Sequence, residues 1–127
     1  MIKGATFLFA LGLATAAHAD PCEAPLPKRG AVFAGPVTYV GDGDSLCVGS
    51  SAGWVEVRVA DFYAPELHDA GGRQAKAALA RIAMGRRVRC VAGKRSYDRV
   101  VARCTLKRRS LGDLMRAAGV REGGRGR

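Results

Sequence analysis

The chain has 127 residues, of which 21 are lysine or arginine and 11 are aspartate or glutamate, so its formal net charge is +10. This length limits it to one small domain, and no stretch after residue 19 is apolar enough to cross a membrane. Such a basic domain is biased towards polyanions. The same charge would also serve solubility or attraction to an anionic envelope surface.

Residues 1–19 have the pattern of a secretory signal peptide. Lys3 supplies an early positive charge, the apolar run FLFALGLATAA follows, and Ala17-His18-Ala19 matches an A-x-A cleavage site. The apolar run is too short to span a bilayer comfortably, which disfavours a retained anchor. We therefore expect a secreted or periplasmic protein, cleaved after Ala19, with no stable membrane insertion after cleavage.

An even number of cysteines in an exported chain predicts disulfides. Cys90 and Cys104 lie in the alternating runs VRCVA and VVARCTL, and adjacent strands would bring them together. This favours a Cys90–Cys104 pair and leaves Cys22 to pair with Cys47. Free buried thiols, which behave as small hydrophobic groups, are the alternative. Zinc is not expected, because no CxxC pair is present and His68 is the only histidine after the signal.

The segment after the predicted cleavage site divides into three parts. Residues 20–30, DPCEAPLPKRG, form a polar leader that contains prolines, and residues 31–120 form the folded domain. Residues 121–127, REGGRGR, offer no apolar side chain for packing, so we expect a flexible basic tail. We expect the protein to be a monomer.

Three strands are predicted in the first half of the domain, at residues 31–40, 46–48 and 54–60. Pro36 indicates an edge or a bend in the first strand. GDGDS and SSAG supply the two turns. The third strand alternates cleanly, with valines on one face and Glu56 and Arg58 on the other.

A helix is predicted at residues 74–84, because apolar residues recur at i, i+3, i+4, i+7 and i+8. Gly85 ends it. Two strands follow at residues 87–92 and 99–106, joined by the turn GKRSYD, and Ser110 caps a short last helix. The order predicts an α+β fold, a five-stranded OB-fold β-barrel with packed helices.

Several residues suit phosphodiester hydrolysis, which needs charge neutralisation at the phosphoryl oxygens and a base for water. Asp42 and Asp44 in GDGDS point to one side of an extended chain and can offer a hard cation two carboxylates. A simple turn is the alternative. Arg58 and Arg99 have the forked hydrogen-bond donors that match phosphate geometry. Glu66 lies just past the end of the strand that contains Arg58. Ordinary solvated charges are the alternative.

The segments GDGDS, VEVRV followed by APE, GRQAKAALARIAMGRRVRC, SYDRVVARCTL and LGDLMRAAGV occur in this order over about residues 35–120. In this order they resemble the staphylococcal nuclease (thermonuclease-like, SNase-like) family. The resemblance implies an OB-fold barrel and a calcium-dependent nuclease that cleaves DNA and RNA with little sequence preference. It also implies that Arg58 and Arg99 stabilise the transition state and that Glu66 is the general base.

The resemblance further implies that Asp44 and Ala64 are metal-binding positions and that Tyr97 contacts the nucleotide. The chain departs from the family at Tyr63, which occupies the position of a second calcium-binding aspartate. A phenol is neutral at pH 7 and is a poor ligand for calcium. Asp61 lies two residues earlier, roughly 6.6 Å along a strand, too far to replace it without a local bulge. We therefore expect a weakened calcium site.

Three functions follow from these observations. The first is an exported phosphodiesterase acting on nucleic acid. The second is a nucleic-acid-binding barrel with impaired catalysis, which the substitution at Tyr63 favours. The third is an envelope interaction module, for which the sequence indicates no partner.

Overall fold

The computed structural model describes Gly4 and residues 21–123. Apart from Gly4, the predicted signal peptide lies outside the described residues, and so do residues 124–127 of the tail. None of the helices in the described part of the chain is long and apolar enough to cross a membrane.

Six strands and two helices follow one another along the described chain. They are β1 (Val32–Asp42), β2 (Ser45–Ser50), β3 (Gly53–Val59), α1 (Gly72–Ala83), β4 (Arg87–Ser96), β5 (Arg99–Leu106), β6 (Arg109–Ser110) and α2 (Leu111–Ala117). The strands pair in the order β3-β2-β1-β4-β5-β6, and a parallel pairing of β3 with β5 closes the sheet. Five of the six strands, β1 to β5, thus form a closed barrel with two helices, as expected for an α+β protein of OB-fold type.

The first strand bends at Pro36, as the sequence predicts. Its first half, Val32–Pro36, pairs with β4, and its second half, from Val37, pairs with β2. Gly35 lies so close to the Gly49 carbonyl that a side chain would overlap it. Proline at the change of partner and glycine at the crossing let one strand curve through both halves of the barrel.

The barrel interior is filled by alternating residues of the strands. Val55, Val57 and Val59 of β3 are buried, whereas Glu56 and Arg58 between them are not. The predicted apolar stripe of α1 faces inward and packs against β1 and α2, with Ile82 only half-buried. The Ser110 hydroxyl accepts a hydrogen bond from the Asp113 amide and caps α2 as predicted.

The sequence prediction did not include β6, most of its boundaries differ by one or two residues, and two of the differences have a physical reason. The turn between β4 and β5 is not the whole segment GKRSYD, because β4 continues to Ser96 and only Tyr97 and Asp98 form the turn. A register shift near Gly93 lets the strand pass through this polar stretch. The first helix begins at Gly72, two residues earlier than predicted, because Gly71 adopts the left-handed conformation at its N-terminus.

Both predicted disulfides are present. Cys90 and Cys104 are direct partners across β4 and β5, and both are fully buried. The second bond joins Cys22 of the leader to Cys47 of β2. The leader is also held by a hydrogen bond from the Ala24 amide to the Trp54 carbonyl, so its first residues lie against the barrel.

Replacing Cys90 and Cys104 together by alanine should lower the free energy of unfolding by about 3 kcal/mol, because the bond closes a loop of 14 residues in the unfolded chain. Urea unfolding of the oxidised protein measures this loss. Reduced wild-type protein is the control and should be destabilised at least as much. Free thiols in the unfolded oxidised protein would contradict the pairing.

Candidate functional site

Three segments meet at one rim of the barrel. The turn between β1 and β2 contributes Asp42 and Asp44, β3 contributes Arg58, and the loop after β3 contributes Tyr63 and Ala64. Strand register brings them together, because Asp42 pairs with Ser45 and Ser45 pairs with Arg58. The polar face of β3 therefore ends beside the GDGDS turn.

The Asp44 carboxylate joins all three segments. It is only 8% exposed, and its Oδ2 accepts hydrogen bonds from Arg58 Nη2 at 3.2 Å and from the Ala64 amide at 2.9 Å. Its backbone carbonyl accepts from the Val59 amide at 2.7 Å. Asp44 is thus a structural junction as well as a candidate ligand, and two of the residues predicted from the resemblance, Arg58 and Ala64, contact it directly.

The Asp42 carboxylate stabilises the GDGDS turn through two hydrogen bonds. Its Oδ1 accepts from the Asp44 amide at 3.0 Å and from the Ser45 hydroxyl at 2.8 Å. Burial opposes the charge on Asp42, but hydrogen bonds from Asp44 and Ser45 and the charge of Arg99 outweigh burial and lower its pKa. Arg99 therefore acts on the same rim as Arg58, from the start of β5.

The neighbouring carboxyl group behaves in the opposite way. Burial raises the pKa of Asp44 to about 7, and the Asp42 carboxylate beside it adds to the rise. The Ala64 amide and Arg58 favour the ionised form of Asp44, but they do not overcome burial and repulsion. The two aspartates of GDGDS thus differ, with Asp42 ionised and Asp44 close to half-protonated at neutral pH.

Arg58 is held from three sides. Besides the contact with Asp44, its Nη1 donates to the Val59 carbonyl at 2.7 Å, and its guanidinium carbon lies 4.3 Å from the centre of the Tyr63 ring. This is within the range of a cation–π contact. The side chain is 15% exposed, so only part of its fork faces solvent, where it can meet an anion.

Tyr63 is fixed by the chain beyond α2. Its amide donates to Glu122 Oε1 at 3.1 Å, and its carbonyl accepts from the Gly123 amide at 2.7 Å. Glu122 also lies 3.6 Å from Arg116 of α2. The start of the predicted flexible tail is therefore attached to the rim. The feature of the sequence that could have indicated this attachment is Glu122, the single acidic residue of REGGRGR.

Asp61 does not replace the missing ligand. Its backbone carbonyl accepts from Arg116 Nη1 at 2.8 Å, and its Oδ2 lies 3.9 Å from Arg116 Nη2. It also packs so tightly on Gly112 that a side chain at that position would overlap it. Asp61 thus holds α2 and is not among the groups that contact the Asp44 carboxylate through hydrogen bonds.

The other predicted residues lie at the edge of this rim. Tyr97 occupies the tip of the β4–β5 hairpin, 94% exposed and in the left-handed conformation with φ 57°. Glu66 is exposed in the loop after Ala64 and lines a cavity of about 750 Å³. In the described chain, no ion pair or side-chain hydrogen bond connects Glu66 to Arg58 or Arg99.

The residues present do not complete a calcium site. Calcium takes six to eight oxygen ligands, usually with several carboxylates. Among the described residues, no group of three or more histidines, cysteines, aspartates or glutamates could hold a metal ion. Asp44 Oδ2 is already bonded to Arg58 and Ala64, and the neighbouring Tyr63 supplies an aromatic ring rather than a carboxylate.

Comparisons with known proteins give no assignment. No protein-family model matches the chain, and a search of the curated proteins finds no match. The residues at the rim are therefore the features of this protein that indicate a function.

The titration of Asp44 predicts how stability varies with pH. Since its pKa is raised on folding, its contribution to stability is complete below about pH 4 and is lost as the pH rises towards 7. Wild-type protein should therefore lose up to about 2 kcal/mol between pH 5.5 and 8.5, and Asp44→Asn should lose much less. Thermal unfolding at the two pH values measures the difference.

Asp113→Asn is the matched control for this titration. Asp113 is exposed, and its hydrogen bond from Arg116 lowers its pKa, so it stays ionised throughout that range. Its variant should keep the wild-type pH dependence. Equal pH dependence in wild type and Asp44→Asn would contradict the raised pKa.

Proposed function

We propose that this protein is an exported, thermonuclease-like enzyme that hydrolyses phosphodiester bonds of DNA or RNA. The observation that carries the proposal is the convergence of Asp44, Arg58 and Ala64 in one contact cluster, with the charge of Arg99 acting on the adjacent Asp42. A cation pair beside a buried carboxylate suits a phosphoryl group. The two disulfides support an oxidising compartment outside the cytoplasm.

In this proposal each residue has a distinct task. Glu66 takes a proton from water, and the resulting hydroxide attacks phosphorus while the bond to the leaving oxygen breaks. The leaving oxygen then takes a proton from a second water molecule. Arg58 and Arg99 stabilise the additional negative charge on the phosphoryl oxygens. Tyr97, exposed at the hairpin tip, offers its ring to a base. Glu66 is exposed and close in sequence to the Ala64 anchor, so bound substrate can bring it to the scissile bond.

A second candidate function is nucleic-acid binding with impaired catalysis. The contact of the Tyr63 ring with the Arg58 guanidinium favours it, because the ring covers one face of a catalytic cation and supplies no charge for a metal. The arginines and the basic surface would still bind phosphates. The two functions differ in the role of Glu66, which is needed for cleavage in the first and has no role in the second.

The first test is cleavage of single-stranded DNA by the oxidised protein, with calcium and with chelator. Glu66→Gln should lower the cleavage rate by at least about 100-fold, the usual contribution of a general base, and leave DNA affinity unchanged. Asp69→Asn, which removes another exposed carboxylate of the same loop, is the control and should cleave normally. DNA binding without cleavage in the wild type would favour the second candidate function.

Restoring a carboxylate at Tyr63 tests the metal argument. Tyr63→Asp should place a third acidic group beside Asp44, destabilise the protein in chelator and make calcium stabilising. We expect calcium-dependent cleavage to rise at least tenfold and the melting temperature to increase with calcium. Tyr63→Asn removes the same ring without adding charge and should gain neither property. An equal calcium response in both variants would show that the ring, not the missing carboxylate, limits the site.

A further inference from the structure

The positive charge of this protein is concentrated in one part of the fold. The segment from Arg87 to Ser110 contains nine lysines and arginines and one acidic residue, Asp98, a net of +8 against +10 for the whole chain. These residues form β4, β5 and the turn before β6. The charge is therefore a property of one side of the barrel rather than of the surface in general.

Strand alternation places these cations on the outer face. Val88 and Cys90 are buried, so Arg87 and Arg89 point outward, and Arg103 does the same between two buried residues of β5. Lys107 and Arg108 form the turn that follows. We call Arg87, Arg89, Arg103, Lys107 and Arg108 the basic stripe. Four of them, all except Arg103, line a shallow cavity of about 540 Å³ that has no acidic residue in its wall.

The basic stripe forms no ion pair among the described residues, although the charge of Arg103 acts on Asp113. Among residues 21–123, the ion pairs involve Arg58, His68 and Arg116, and none involves a member of the stripe. All five side chains belong to exposed residues. Five cations on one face repel one another, so the arrangement costs stability unless an anion is bound.

The turn that presents Lys107 and Arg108 is also unfavourable by itself. Both residues have positive φ, 48° and 69°, in a two-residue hairpin turn, where asparagine and glycine are the preferred residues. A side chain in this region costs roughly 1 kcal/mol. Because Lys107 and Arg108 occupy a turn that prefers Asn-Gly, their positive charges indicate a function that offsets the strain.

We infer that the basic stripe binds the phosphate backbone of a polynucleotide whose scissile bond lies at Arg58 and Arg99. Lys107 and Arg99 belong to the same strand and its turn, eight residues apart, or about 26 Å. At 3.4 Å per nucleotide along one strand, this spans about seven or eight nucleotides. The position of the scissile bond depends on the proposed function, whereas binding to the stripe does not.

A continuous path from the stripe to the rim favours a polynucleotide. Arg103 and Arg99 lie on the same face of β5, and Tyr97 beyond them can stack a base. The protein should therefore prefer long substrates to short ones. Removing the stripe should affect the cleavage only of oligonucleotides that are long enough to extend from the rim to the stripe.

The test measures binding by fluorescence anisotropy in a Glu66→Gln background, with labelled single-stranded DNA of 20 and 4 nucleotides at several salt concentrations. R87Q/R89Q should weaken binding of the 20-mer about tenfold and reduce the slope of log affinity against log salt by about 1.4, for two lost phosphate contacts. The 4-mer can contact the stripe or the rim but not both, so it should lose less affinity than the 20-mer. R73Q/K76Q on α1, which removes the same charge elsewhere, should have little effect.

The K107N/R108G variant distinguishes an effect of lost charge from an effect of lost stability. It gives the turn its preferred residues, so its melting temperature should rise while its affinity for the 20-mer falls. In the cleaving wild-type background, both stripe variants should raise KM for the 20-mer and not for the 4-mer. If the wild-type protein cleaves nothing, the proposed function fails, but the anisotropy test still decides the inference.

Three outcomes would overturn the inference. Stripe variants that bind the 20-mer as tightly as wild type would exclude the contact. A loss of equal size in R73Q/K76Q would show that net charge alone matters. A loss of binding to phosphatidylglycerol vesicles, with 20-mer binding unchanged, would assign the stripe to an anionic membrane surface instead.

Discussion

The hydrogen bonds of one buried carboxylate hold the candidate site together. Asp44 joins the GDGDS turn to the guanidinium of β3 and to the amide of Ala64, so the turn, the strand and the loop have one relative position. Asp42 holds the turn that presents Asp44. Burial raises the pKa of Asp44, because a carboxylate charge is energetically costly so close to the core. Loss of Asp44 would therefore disturb the geometry of every other residue at the rim.

The barrel supplies the rigid frame for this contact. The bend of β1 at Pro36 and the close approach of Gly35 to β2 let a short sheet close on itself, with β3 and β5 as the final pair. That final pairing brings Arg58 and Arg99 to one rim. A domain of this size buries a limited apolar area, and the two disulfides add stability by restricting its unfolded chain.

Charge is divided between two regions of the barrel. At the rim, Asp42 and Asp44 face Arg58 and Arg99, whereas no member of the basic stripe forms an ion pair among the described residues. A rim that positions one phosphate and a stripe that attracts many would act together on a long polyanion. In the proposed function, the Tyr63 ring against Arg58 would affect the strength of catalysis rather than this division of charge.

The sequence alone determined the order of the five barrel strands and the two helices, but not β6, and it indicated several residues of the candidate site. Alternation in VEVRV, the stripe in the helix and the position of Pro36 predicted the barrel, because burial imposes a period on the apolar residues. GDGDS and Arg58 were recognisable because they are local patterns of residue types suited to phosphate chemistry.

Only the tertiary structure decided what each charge contacts. The sequence did not predict that Ala64 donates its amide to Asp44, that Glu122 fixes Tyr63, or that Asp61 holds α2. These contacts join residues 20 to 59 positions apart, and no periodicity of the sequence records such distances. The end of β4 was misplaced for a similar reason, since cross-strand hydrogen bonds keep a polar segment extended where its composition favours a turn. The spacing of apolar residues along the chain follows from burial and can be read from the sequence. The partners of the polar side chains depend instead on which segments the closed barrel brings together.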